Sequence, residues 1–168
     1  MDLFVRYFVE LPLPVAAVDH GLDRIPREWL VGMATVAHVR AESLLLEAGI
    51  DLNARIGGSV VDLAMAAPVR AGSTTRRPMT WSAVGAGCIF PILRGDLEVG
   101  SLGHQSAQLA VSGGYHPPCD NLPAEDRGTA LRAGEAALKE FLDRLALAVT
   151  VLTREAPIGP PALAVARR

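Results

Sequence analysis

Two segments of the chain between Ile89 and Pro118 alternate apolar and polar residues with a period of two, and a glycine-containing turn separates them. The first segment places Leu93, Gly95, Leu97 and Val99 on one face. The second does the same with Ala107, Leu109, Val111, Gly113 and Tyr115. This period is typical of half-buried strands, so the pattern predicts an antiparallel hairpin with one apolar and one polar face.

Three further segments show the same alternation. Residues 3–11 predict a first strand, residues 78–84 predict another, and residues 59–69 predict one in which Pro68 marks an edge or an end. Residues 71–77 are predicted to form a turn in which Arg76 and Arg77 are solvated. The links between these later strands are short, which predicts an antiparallel meander and about five strands in all.

Apolar residues three and four positions apart predict helices over about 14–21 and 26–49, the second capped by Asp23, and a long last helix over about 123–153. The stripe of the second helix that is expected to face the core comprises Trp29, Leu30, Met33, Val36, Ala37, Leu44 and Leu45. The stripe of the last helix comprises Leu131, Gly134, Leu138, Phe141, Leu142, Leu145, Ala148, Val149 and Leu152.

The order of elements predicts an α+β fold: a strand, two shorter helices, the meander and the long C-terminal helix. Residues 1–153 are predicted to be a single domain, and residues 154–168, rich in Pro and Ala, a mostly disordered tail. The doublet Gly113-Gly114 lies inside a strand, where a bulge or the close approach of a helix is expected. Such a device suits a curved sheet.

Composition narrows the classes of function. Of the 168 residues only 5% are aromatic, the net charge is −2 and Lys139 is the only lysine, which argues against a nucleic-acid partner. Two cysteines, Cys88 and Cys119, are too few for a disulfide framework and are expected to be free thiols. The chain has neither a signal-peptide pattern nor an uninterrupted apolar run of about 18 residues, so a cytoplasmic protein without a membrane span is expected.

The sequence offers few candidates for catalysis. His38 lies on an apolar stripe with Glu42 four residues later, which favours a buried histidine in a local pair, and His104 is expected to lie in a solvated turn. Asp62 and Asp96 are expected on the wet face of the sheet. No spacing typical of a metal site, a nucleotide loop or a nucleophile motif occurs, so no catalytic residue, metal or cofactor is predicted.

Four short motifs accompany this order of elements. They are Trp29-Leu30 with Met33-Ala34, Pro78 to Trp81, Phe90-Pro91 with Gly95-Asp96-Leu97, and Tyr115 with Pro117-Pro118. Together they resemble the START-like, or SRPBCC, superfamily, and within it small uncharacterised actinobacterial members. The resemblance covers about residues 3–150 and implies a helix-grip fold, in which a curved antiparallel sheet wraps a long C-terminal helix.

The resemblance also implies a cavity between the concave sheet and the last helix. The residues expected to line it, with polar contacts from some, are Trp81, Tyr115, Met65, Leu97, Leu109, Leu138, Phe141, Arg6 and His116. The first hypothesis is therefore the binding of a small hydrophobic molecule, such as a lipid or a polyketide. One alternative is an enzyme similar to polyketide cyclases and aromatases, and another is an interaction or dimerisation domain without a pocket. A homodimer is left open.

Overall fold

The computed structural model describes residues 3–50, 60–84, 92–116 and 123–154. Its elements are β1 (Leu3–Leu11), α1 (Val15–Asp23), α2 (Arg27–Glu47), β2 (Val60–Met65), β3 (Val69–Ala71), β4 (Thr74–Val84), β5 (Ile92–Gly103), β6 (Ser106–His116) and α3 (Ala124–Arg154). The strands form one sheet in the order β1-β6-β5-β4-β2, and β3 pairs with β4. This curved antiparallel sheet packs against α3, which confirms the predicted α+β helix-grip fold.

The sheet has six strands where the sequence predicted about five. The segment predicted as one strand over residues 59–69 contains β2 and the start of β3, separated by residues 66–68. Pro68 explains the break, because a proline has no N–H to donate to a neighbouring strand. The turn predicted over 71–77 is also shorter, since Gly72, with a φ of 64°, and Ser73 alone connect β3 to β4.

The faces predicted for the sheet are confirmed. The antiparallel register places Leu63, Trp81 and Leu93 side by side on β2, β4 and β5, and all three are buried on the face that meets the helices. The residues next to them in sequence, such as Thr80 and Arg94, are exposed on the other face. The interior face therefore has the apolar composition that drives a sheet to pack on helices.

A pair of glycines marks a close contact between the backbones of β5 and β6. Gly95 pairs with Gly113 on the interior face. A Cβ atom added at Gly113 would lie 2.6 Å from the carbonyl oxygen of Arg94 and 2.7 Å from the Cα of Gly95. The register runs regularly through this pair, so there is no bulge here, and the backbone that approaches Gly113 is that of the neighbouring strand β5 rather than that of a helix, which the sequence predicted as the alternative to a bulge. Two residues without side chains thus allow the sheet to bend toward its concave side.

A buried arginine joins the sheet to α1. Arg77 lies on the interior face of β4, and its Nη1 and Nη2 donate to Oδ1 of Asp19 at 2.6 Å and Oδ1 of Asp23 at 2.8 Å. Thr75 donates from Oγ1 to the second oxygen of Asp19 at 2.8 Å. Burial alone lowers the pKa of Arg77, but the hydrogen bonds that Arg77 donates to Asp19 and Asp23, with the attraction of their charges, outweigh it and raise that pKa above its usual value.

These contacts overturn two predictions. Arg77 is not in a solvated turn, because its side chain is only 4% exposed. Asp23 does not cap α2, whose N-cap is Pro26 and carries no side-chain hydrogen bond. A buried guanidinium requires paired carboxylates, and α1 supplies both of them from one turn of helix.

Helix α1 is held on its other side by α3. A Cβ atom at Gly21 would meet Val149 Cγ1 at 3.0 Å, so the two helices pack closely at this point. Arg24 donates from Nη1 to the carbonyl oxygen of Leu152 at 2.7 Å, which satisfies one of the last carbonyls of α3. Helix α1 therefore joins the sheet to the C-terminal turns of α3.

The close contact at Gly113 predicts that alanine is much more destabilising at this position than at the neighbouring Gly114. We expect Gly113→Ala to lower the free energy of unfolding by about 3 kcal/mol, because the new methyl group meets fixed backbone atoms. Gly114→Ala is the control, since its nearest neighbour would be 3.9 Å away. Urea unfolding of both variants measures the difference, and equal losses would contradict the role assigned to Gly113.

The arginine pair in β4 provides a second comparison. Arg77→Met should destabilise the protein by about 3 kcal/mol, because it leaves the carboxylate of Asp19, whose side chain is only 16% exposed, without its charged partner. Arg76→Met should cost less than about 1 kcal/mol, because Arg76 is exposed and pairs with Glu98 near the surface. Chemical denaturation of the two variants tests this, and the prediction is wrong if Arg76→Met is as damaging as Arg77→Met.

Candidate functional site

The structure brings six of the predicted lining residues together in the space between the sheet and α3. Trp81 packs on Phe141 with 5.2 Å between ring centroids and a tilt of 54°. The other buried members of this group are Leu97, Leu109 and Leu138, and Met65 lies partly exposed at its margin. These side chains form a continuous packed core with their neighbours. Their role in ligand binding stays a prediction.

The remaining predicted residues lie elsewhere. Arg6 is on the outer face of β1, half exposed and 3.9 Å from the carboxylate of Glu98, so the structure does not bring it to the interior group. The backbones of Tyr115 and His116 pair with Leu93 and Ile92 at the end of β6. Their side chains are outside the described part of the structure.

A cleft lies on the outer side of the helical layer, between α2 and α3. It has a volume of about 530 Å³ and is lined by Glu28, Trp29, Gly32, Met33, Val36, Arg144, Leu147, Ala148 and Val151. Trp29 is 53% exposed and Leu147 is 66% exposed. The predicted burial of Trp29 and Val36 in the core is therefore wrong, because these residues face the cleft.

The cleft is apolar along its walls and has charged residues in its lining. Glu28 comes from the first turn of α2, and Arg144 comes from α3, where its Nε donates to Oε1 of Glu140 at 2.6 Å. The remaining lining residues offer aliphatic groups, a thioether and the Trp29 ring. Such a surface can bury an apolar body but provides few directional hydrogen bonds.

The spacing of apolar residues in the sequence indicates the faces that line this cleft, but these residues lie next to the stripe that is buried in the core and are hard to distinguish from it. Trp29, Met33 and Val36 are spaced by four and three residues, and Leu147 and Val151 by four. Each set lies on one helical face, beside the stripe that is buried against the core. Periodicity shows that these residues share a face, but it does not show which element covers them.

His38 is buried in α2 with its Nε2 3.5 Å from Oε1 of Glu42, which confirms the predicted buried histidine and its local pair. Desolvation by burial lowers its pKa from 6.5 to about 4. The imidazole is therefore neutral in the folded protein at neutral pH.

The other candidates for catalysis lie apart from one another. His104 is in the exposed turn between β5 and β6, and Asp62 is exposed beside Arg27, whose Nη2 is 3.1 Å from its carboxylate. Among the described residues no three His, Cys, Asp or Glu side chains are grouped as metal ligands would be. Cys88, Cys119 and residues 155–168 fall outside the described residues.

None of the helices that the structure describes combines the length and the hydropathy of a membrane-spanning segment.

The pKa of His38 predicts how stability depends on pH. Because this pKa is lower in the folded than in the unfolded protein, protonation favours unfolding as the pH falls from about 6.5 to about 4. We expect wild type to lose about 3 kcal/mol more stability over this range than His38→Leu. His104→Leu is the matched control and should behave as wild type. Urea unfolding at several pH values measures the difference, and parallel curves for wild type and His38→Leu would refute the assignment.

Among known proteins, the similarities found are to solved structures. No family model matches the chain, and no curated protein is similar to it. The Zhui aromatase/cyclase from Streptomyces sp. R1128 is 13% identical with a TM-score of 0.38, over 92% of this chain and 93% of that one. TTHA0849 from Thermus thermophilus is 12% identical with a TM-score of 0.42, over 89% and 98%. DynU16, a protein of the dynemicin biosynthetic locus, is 18% identical with a TM-score of 0.37, over 88% of this chain and 47% of that one.

Proposed function

We propose that the protein binds a small apolar molecule in the cleft between α2 and α3. The observation that carries the proposal is the open apolar cleft between the two helices together with the exposure of Trp29, Leu147 and Val151 along it. A contiguous exposed apolar surface costs solubility and is typical of a binding site. A ligand that covered these side chains would remove them from water, at about 25 cal/mol for each Å² of apolar area.

The dimensions of the cleft fit a small molecule. Its volume of about 530 Å³ lies within the range of about 300–1,000 Å³ that is usual for small-molecule sites. Met33 can adjust its flexible side chain to the outline of a ligand, and the Trp29 ring offers a rigid flat surface. The charged residues Glu28 and Arg144 provide the polar contacts that would orient an otherwise apolar ligand.

The cleft is also the less costly of two places for a ligand. A molecule between the sheet and α3 would have to displace packed side chains such as Trp81 and Phe141, and losing the packing of one large aromatic costs about 3–5 kcal/mol. A ligand in the cleft displaces only water. A cyclase role would further require a proton-transfer group in contact with the substrate. Among the described residues, the cleft lining offers only Glu28 and Arg144 for this.

A glycine in the wall of the cleft provides a direct test. Gly32→Leu should fill the cleft, and a Cβ atom at Gly32 meets no other atom within 4 Å, so the variant should fold. We expect its affinity for the uncharged fluorescent probe N-phenyl-1-naphthylamine to fall at least about tenfold, equivalent to about 1.4 kcal/mol. Fluorescence titration of the full chain measures this affinity.

Gly128→Leu is the matched control. Gly128 is also a helical glycine with no atom within 4 Å of an added Cβ, but it lies far from the cleft lining along α3. Both variants gain helix propensity, so a difference between them reports on the cleft alone. Unchanged binding by Gly32→Leu would overturn the proposal, and weaker binding by Trp81→Phe alone would support the predicted site beneath the sheet.

A further inference from the structure

The edge of the sheet formed by β1 has the features of an interface. β1 is a strand of nine residues that pairs with β6 on one side, and no strand of the described residues pairs with its other side. Its sequence contains no proline and its register no bulge, and its two charged residues, Arg6 and Glu10, both lie on the outer face rather than pointing inward, so it lacks several of the features that prevent an edge from pairing. A long edge strand of this kind is a template for another strand.

The opposite edge of the sheet is protected. β2 has only six residues, and Arg27 of α2 reaches across to bind Asp62 at 3.1 Å. Pro68, in the break between β2 and β3, has no N–H to offer to a second strand. A second strand would find fewer free backbone groups here than along β1.

The outer face of β1 is apolar at two positions and charged at two others. Phe4 is 76% exposed and Phe8 is 51% exposed. Arg6 lies between them, and Glu10 follows Phe8, with all four side chains on the same face. Their order along the strand is aromatic, positive, aromatic, negative.

We propose that two copies of the chain form a homodimer through antiparallel pairing of their β1 strands, with the two-fold axis at Phe8. A two-fold axis perpendicular to the sheet keeps the outer faces of the two β1 strands on the same side. Each outer-face side chain therefore meets an outer-face side chain of the partner subunit, and in this register these are Phe4, Arg6, Phe8, Glu10 and Pro12. Centring on Phe8 places each Arg6 opposite Glu10 of the partner subunit and brings the two Phe8 rings together.

The neighbouring registers are less favourable. An axis at Arg6 would oppose two arginines, and an axis one residue to either side of Phe8 would place a charged side chain opposite an aromatic ring. The proposed register is the one that pairs opposite charges twice and also packs the two Phe8 rings against each other. On the interior face it places Tyr7 opposite the partner's Val9, which extends the apolar side of the sheet.

The test is a charge exchange measured by sedimentation velocity on the full chain at about 100 μM. Wild type should have twice the mass of the 17.7 kDa chain. Arg6→Glu and Glu10→Arg should each be monomeric, because each sets like charges opposite one another, and the double variant should be a dimer again. Arg94→Glu makes the same charge change on the outer face two strands away and should remain dimeric.

A monomeric wild type would overturn the proposal, and so would single variants that stay dimeric. A double variant that is folded by circular dichroism but monomeric would overturn the register. Phe8→Lys provides an independent variant at an exposed position, because it sets two ammonium groups together at the axis. It should be folded and monomeric, and a folded dimer would contradict the inference.

Discussion

The contact between Gly95 and Gly113 is the constraint on which the shape of the molecule depends. The interior face of a strongly curved sheet has less room than its outer face, and the backbones of β5 and β6 use the space that two side chains would need. With that room available, the sheet bends around α3, and Trp81 on β4 reaches Phe141. A flat sheet would contact one side of the helix only.

The concave face so formed has two chemically different regions. Around Trp81 it is apolar and meets α3 directly, whereas around Arg77 and Thr75 it is polar and meets the carboxylates of α1. Because α1 in turn packs on Val149 and binds the carbonyl of Leu152, the ion pairs beneath the sheet also position the last turns of α3. Those turns carry Leu147 and Val151, which form one wall of the cleft. The buried charges and the candidate site are thus linked through two helices.

The sequence predicted the elements whose signal is local. Alternation of residues such as Leu93, Leu97 and Val99 identified the strands because one face of the sheet is buried and the other is wet. The polar run from Thr74 to Arg77 predicts a turn, whereas the carboxylates that make the burial of Arg77 favourable lie more than fifty positions away in sequence. Periodicity predicts a core position for Trp29 because it shows which residues share a face, and not how far the neighbouring helix extends to cover them. The cleft depends on that distance, so its position required the three-dimensional structure.

The connections of α1 also bear on the order in which the protein is assembled. Although α1 is the second element of the chain, Arg77 binds it from 58 positions further on, and the partner of Arg24 is 128 positions away. Such distant contacts close large loops and therefore form late. During synthesis, α1 leaves the ribosome long before either partner exists. The side chains of α1 that pack in the finished protein therefore stay exposed to solvent until β4 and α3 have been synthesised. The helix that joins the sheet to α3 in the finished protein is therefore among the segments exposed longest while the chain is being made.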